Sequence, residues 1–60
     1  ISYVNFLTNV RLQKAVELLK TTDEKTYIIA EMVGYADQNY FSYVFKKKYG
    51  VSPSKYRQQG

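Results

Sequence analysis

The sequence predicts an all-α domain, a small bundle of four helices in 60 residues. Three observations point there. No segment of the chain reads as a strand. The residues that break regular structure are few: Pro53 is the only proline, and the glycines are Gly34, Gly50 and Gly60. Beside those breaks stand the residue types that start or stop helices.

Taken in order, Ser2 is expected to cap a long helix reaching about Lys20, and Thr21, Thr22, Asp23 and Glu24 form a polar loop. A short helix comes next, as far as Val33, where Gly34 suits the left-handed position that ends a helix. Asp37 caps the next helix, which runs from Gln38 to Tyr49 through three lysines and stops at Gly50. Ser52 and Pro53 read as an N-cap followed by proline at the first helical position, opening a last helix over 53–58. No repeat or low-complexity stretch interrupts the series.

A chain this short buries only about 60% of its unfolded surface and has little stability to spare. Cysteine and histidine are both absent. Their absence removes disulfides, thiolate nucleophiles and the common zinc-ligand sets together. With scattered acids as well, no nucleophile–base pair can be drawn, so an enzyme is not expected, nor is any cofactor or metal. No apolar run approaches the roughly 20 residues that span a bilayer. The expectation is a cytoplasmic chain with no membrane partner.

Net charge is +4 and the sequence pI is about 9.4. The distribution says more than the sum. Glu17, Asp23, Glu24, Glu31 and Asp37 all precede position 38, and after it come Lys46, Lys47, Lys48, Lys55 and Arg57 with no acid among them. A one-signed segment of this kind attracts polyanions, although a solvated basic face with no specific partner has the same composition.

The first helix carries two apolar faces instead of one. At about 100° per residue, Tyr3, Phe6, Leu7 and Val10 gather on one side. Leu12, Ala15, Val16 and Leu19 gather roughly opposite, with Leu18 between. A surface helix ordinarily has a single stripe. The second half can pack on the later helices of the chain, whereas the first half has nothing obvious in the chain to pack on. Either a preceding subdomain covers it, or it serves a self-contained bundle or a homodimer.

Residues 29–45 have the grammar of a helix-turn-helix. Ala30 is small where two helices cross, and Gly34, four residues on, permits the tight turn between them. Phe41, Val44 and Phe45 recur at i, i+3 and i+4 and define a buried side. Opposite them lie Asn39, Ser42, Tyr43 and Lys46, with Gln38 at the N-terminal end. That face offers amide, hydroxyl, aromatic and ammonium groups and no carboxylate, so it can meet base edges and phosphates without repulsion.

The strings RLQKAVELL (11–19), IAEMVGYADQNYFSYVFKKKYGVSP (29–53) and SKYR (54–57) resemble the second half of the AraC/XylS-type DNA-binding domain. The most specific matches are Val33-Gly34-Tyr35, Tyr40-Phe41, Phe45-Lys46-Lys47, Gly50 and Ser52-Pro53. One departure is Lys25-Thr26-Tyr27-Ile28, where the family usually shows Ser-Ile-Ser-Glu. The resemblance implies two helix-turn-helix units joined by a linker helix, here residues 1–20, with recognition helices in adjacent major-groove segments. The first unit and any regulatory domain would then lie outside this chain, which agrees with the uncovered face. Expected partners are double-stranded DNA, that N-terminal unit and RNA polymerase, with self-association of the isolated chain.

The expected mechanism inserts helix 38–49 into a major groove. Gln38, Asn39, Ser42 and Tyr43 face base edges, Lys46 and Lys47 anchor phosphate, and the helix N-terminus adds backbone N–H groups. Phe41, Phe45 and Leu19 are expected in the core, Tyr40 as a half-buried packing residue and Tyr35 in or beside the turn. Lys48 falls inward and snorkels out. Arg11 is expected in a structural ion pair. Tyr56 and Arg57 either touch backbone phosphate or finish the fold, and Arg57 is carried with the contact set. The rival is a helical protein-interaction module that offers Tyr3, Phe6, Leu7 and Val10. RNA binding lacks any recognisable motif.

Overall fold

The computed structural model describes residues 3–59. Helix α1 spans Tyr3–Thr21, α2 Thr26–Met32, α3 Gln38–Tyr49 and α4 Pro53–Gln59. The expected capping role of Ser2 lies outside the described residues. Helix α1 runs one residue past the expected end. There the Thr21 and Thr22 hydroxyls donate to the carbonyls of Glu17 and Leu18, four residues back, at 2.8 and 2.7 Å. Such bonds add a second donor to carbonyls in the last turn of the helix.

The turns form for the reasons the sequence suggests. Gly34 has φ +101°, and the Tyr35 and Gly34 amides donate to Ala30 O at 2.8 Å and Glu31 O at 3.1 Å. This pair of bonds closes the end of α2 and needs a left-handed residue between them. Space adds a smaller cost, since the neighbour is the end of a flexible arginine. A Cβ on Gly34 would stand 3.2 Å from Arg11 Nε. Asp37 Oδ1 accepts from the Asn39 amide at 2.9 Å and caps α3. Helix α3 ends at Gly50, φ +85°, whose amide donates to Lys46 O at 2.7 Å. Ser52 Oγ accepts the Lys55 amide at 3.2 Å, and Pro53 opens α4. Helix α2 has no side-chain cap at Lys25. The Thr26 hydroxyl instead meets Ser54 Oγ of α4 at 3.3 Å.

The core forms where the second half of α1 meets the other three helices. Leu12, Ala15, Leu18 and Leu19 of α1 pack with Ile29 and Ala30 of α2, with Val33 and Tyr35 at the turn, and with Phe41 and Phe45 of α3. Val16 and Val44 are only partly buried at its edge, together with Tyr49 and Tyr56. Phe45 is the hub of an aromatic cluster, with ring centroids 5.9 Å from Phe41, 4.6 Å from Tyr49 and 5.6 Å from Tyr56. Tilted and edge-on pairs of this kind add to the area they bury. Burial, followed by the neighbouring Tyr56 phenol, pushes the Tyr49 phenol above its ordinary value.

Arg57 ties α4 to the end of α1 and the loop that follows it. Its Nε donates to Leu19 O at 3.1 Å, and its two terminal nitrogens donate to Thr22 O at 3.0 Å and Glu24 O at 2.7 Å. The C-terminus of α1 carries a partial negative charge and unpaired carbonyls, which a guanidinium from α4 answers.

The first half of α1 has two fates. Tyr3, Phe6 and Val10 stand exposed, as expected, and Val4 joins them. Leu7, expected on the same face, is half-buried.

Candidate nucleic-acid interface

Helix α3 is fixed on its inner side by Phe41 and Phe45, both wholly buried. That anchorage decides which residues face out. At about 100° per residue, Tyr43 sits at the centre of the outer face, with Asn39 and Lys46 to one side and Lys47 and Tyr40 to the other, all within about 60°. All five are exposed. Ser42 lies about 100° from Tyr43, and it is half-buried at the margin of the face. Gln38 is exposed in the first turn, away from the centre of the face.

Two expectations are corrected by the geometry and two are qualified. Tyr40 is not a half-buried packing residue: 55% of it is exposed. Its ring lies beside Tyr35 at 5.9 Å and Tyr43 at 6.5 Å. Arg11 makes no ion pair among the described residues. Its guanidinium lies 5.3 Å from the centroid of the Tyr35 ring, a cation–π contact that covers the turn. Arg57, carried with the contact set, has its guanidinium on the carbonyls of Leu19, Thr22 and Glu24. The α3 N-terminus is partly capped, because Asp37 Oδ1 takes the amides of Asn39 and Tyr40 at 2.9 and 3.5 Å. That carboxylate also offsets the positive pole of the helix.

Lys48 behaves as its position suggests. It ends outside the core, its ammonium donating to Asn9 Oδ1 of α1 at 2.8 Å. Lys47 folds back over the Tyr43 ring, with Nζ 5.9 Å from the centroid. Tyr35, expected in or beside the turn, is buried there. Tyr40 is the exposed-face residue that pattern reasoning misses. The signal was available, because a residue three before Tyr43 must share its side of a helix.

A short helix, a glycine turn and a second helix with a buried aromatic side and an acid-free outer side define a helix-turn-helix module. A family model described as a helix-turn-helix domain matches residues 1–59. The chain belongs to the AraC/XylS-type helix-turn-helix family. It is 47% identical over 58 residues to the HTH-type transcriptional activator RhaR of Pectobacterium carotovorum, which covers 97% of the chain and 20% of that protein. It is 40% identical over 55 residues to the transcriptional regulator MtrA of Neisseria gonorrhoeae, covering 92% of the chain and 18% of that protein. The chain thus spans about a fifth of the length of these relatives. Among solved structures, the C-terminal domain of AraT, a response regulator from Geobacillus stearothermophilus, superimposes with a TM-score of 0.97 at 50% identity, covering 100% of the chain and 50% of that domain. The C-terminal domain of the response regulator yesN from Fusobacterium nucleatum gives 0.93 at 47% identity, covering 95% and 55%. No helix among the described residues is long and apolar enough to cross a membrane.

Proposed function

We propose that this chain binds double-stranded DNA sequence-specifically as one unit of a bacterial transcription regulator, with α3 in a major groove. The outer face of α3 carries the reading: it presents Asn39, Tyr43, Lys46 and Lys47 without a carboxylate, while Phe41 and Phe45 hold its back to the core. Asn39 and Tyr43 meet base edges, with Gln38 and Ser42 at the margins of the contact. Lys46 and Lys47 meet phosphate on either side. Arg57 leaves the contact set and acts within the fold.

A second helix-turn-helix unit, packed on Tyr3, Phe6, Leu7 and Val10, would occupy a neighbouring groove segment. The exposure of Tyr3, Phe6 and Val10 supports that partner. Joining two modest sites raises avidity by about 10²–10⁴ without new contacts, so the single unit binds weakly alone. The natural full-length protein is therefore the material to test. Lys46→Ala and Lys47→Ala should each weaken binding to every duplex and flatten the log–log salt dependence by about one unit. Asn39→Ala and Gln38→Ala should cost about 1–3 kcal/mol on a preferred duplex and little on random DNA. Equal losses on both kinds of DNA for all four variants would refute the groove assignment. Salt-independent association through the α1 face would favour a protein-interaction module instead.

A further inference from the structure

We propose that Tyr40 is a specificity-determining residue which, paired with Tyr43, reads the C5-methyl groups of thymine; this rests on the duplex-binding reading above. Both rings stand open to solvent, at 55% and 60% exposure, on the outer side of α3. They are neighbours, with centroids 6.5 Å apart. Neither floats free. Tyr40 leans on Tyr35, which is 7% exposed and held between the Phe41 ring at 5.5 Å and the Arg11 guanidinium at 5.3 Å. At the other end, the Lys47 ammonium covers Tyr43. A continuous line Arg11–Tyr35–Tyr40–Tyr43–Lys47 therefore runs from α1 across the outer face of α3.

The chemistry of that line selects its ligand. Tyrosine has few rotatable bonds, and neighbours on both sides leave little freedom to lose on binding. Ring faces offer apolar surface and no strong hydrogen bond. In the major groove the apolar feature is the thymine methyl group, which the other three bases lack. The pair spans about two base steps of ~3.4 Å, so the methyls it touches fall within about three consecutive base pairs. Lys47, over Tyr43 on the same face, would meet an adjoining phosphate in this pose.

The test removes the methyl and nothing else. The natural full-length protein first selects a preferred duplex from a random pool, and each thymine of that duplex is then replaced singly by deoxyuridine. Loss of one buried methyl should weaken binding about threefold to fivefold, at one or two thymines within a single three-base-pair window. Tyr40→Ala should abolish the penalty at one of those thymines, and Tyr40→Phe, which keeps the ring, should retain it. An unchanged circular-dichroism melt confirms that the variants fold, as the exposure of Tyr40 leads one to expect. A preferred duplex indifferent to every deoxyuridine, or a Tyr40→Ala variant with the wild-type penalties, overturns the inference alone. Failure to select any duplex overturns the DNA-binding reading itself.

Discussion

Replacing Arg57 separates a structural role from a DNA contact. In Arg57→Ala the carbonyls of Leu19, Thr22 and Glu24 lose donors at 3.1, 3.0 and 2.7 Å. Hydrogen bonds to a charged group are worth about 1.5–3 kcal/mol each, but water recovers part of the loss wherever the carbonyl is reachable. The Glu24 bond is exposed and the other two are part-buried. The sum should therefore reach about 2–4 kcal/mol and not three full bonds. In a domain of this size each kcal/mol moves the melting midpoint by about 4–8 °C, so a fall of about 10–30 °C is expected. Arg57→Lys should recover only a minor share, because an ammonium on a flexible stem cannot span three carbonyls in a fixed fork. The assay is a circular-dichroism melt of the three proteins, with duplex titrations in varied salt well below each midpoint. Unchanged melting of Arg57→Ala together with a salt slope flattened by about one unit would refute the clamp and return Arg57 to the phosphate contacts.

Phe45→Ala should destabilise by about 3–5 kcal/mol, because the ring is wholly buried at the hub of the aromatic cluster; an unchanged melt would show that this side of α3 is not the core. Gly34→Ala should cost about 1–3 kcal/mol from its left-handed backbone and displace Arg11, which lies within 3.2 Å of the added carbon. In a double-mutant cycle with Arg11→Ala the two losses should therefore fail to add, and strict additivity would disprove the contact. Phe6→Ser with Val10→Ser should change the stability of this chain by no more than about 1 kcal/mol, since both side chains are exposed, yet disrupt the full-length protein; unfolding of a strictly monomeric chain would mean that the face packs internally. The raised Tyr49 pKa favours the neutral phenol in the folded state. Its stabilising contribution is complete below the unfolded value of about 10 and fades as pH rises through the folded value. Urea midpoints should fall more steeply between about pH 10 and the folded value in wild type than in Tyr49→Phe, and parallel curves would exclude Tyr49 as the cause.

Local interactions made much of this protein legible in its sequence. Asp37, Gly34, Gly50 and Ser52-Pro53 mark boundaries because caps and left-handed turns involve residues within about six positions of one another. The 3.6-residue period likewise marks Phe41 and Phe45 as buried and Asn39, Tyr43 and Lys46 as outward, since the face of a helix is set by spacing alone. The uncovered half of α1 was visible for the same reason: its apolar stripe changes sides within one helix.

What only the tertiary structure decided are the contacts between residues far apart along the chain. Arg57 meets Leu19 across 38 positions and Lys48 meets Asn9 across 39. No periodicity encodes such meetings, because they depend on where α4 and α3 cross α1. The same crossings set Arg11 over Tyr35 in place of an ion pair and leave Tyr40 open beside Tyr43. Spacing states which side of its own helix a residue occupies. Whether that side meets solvent, a carbonyl or another ring is settled by packing density and crossing geometry, which belong to the assembled core and not to any one segment.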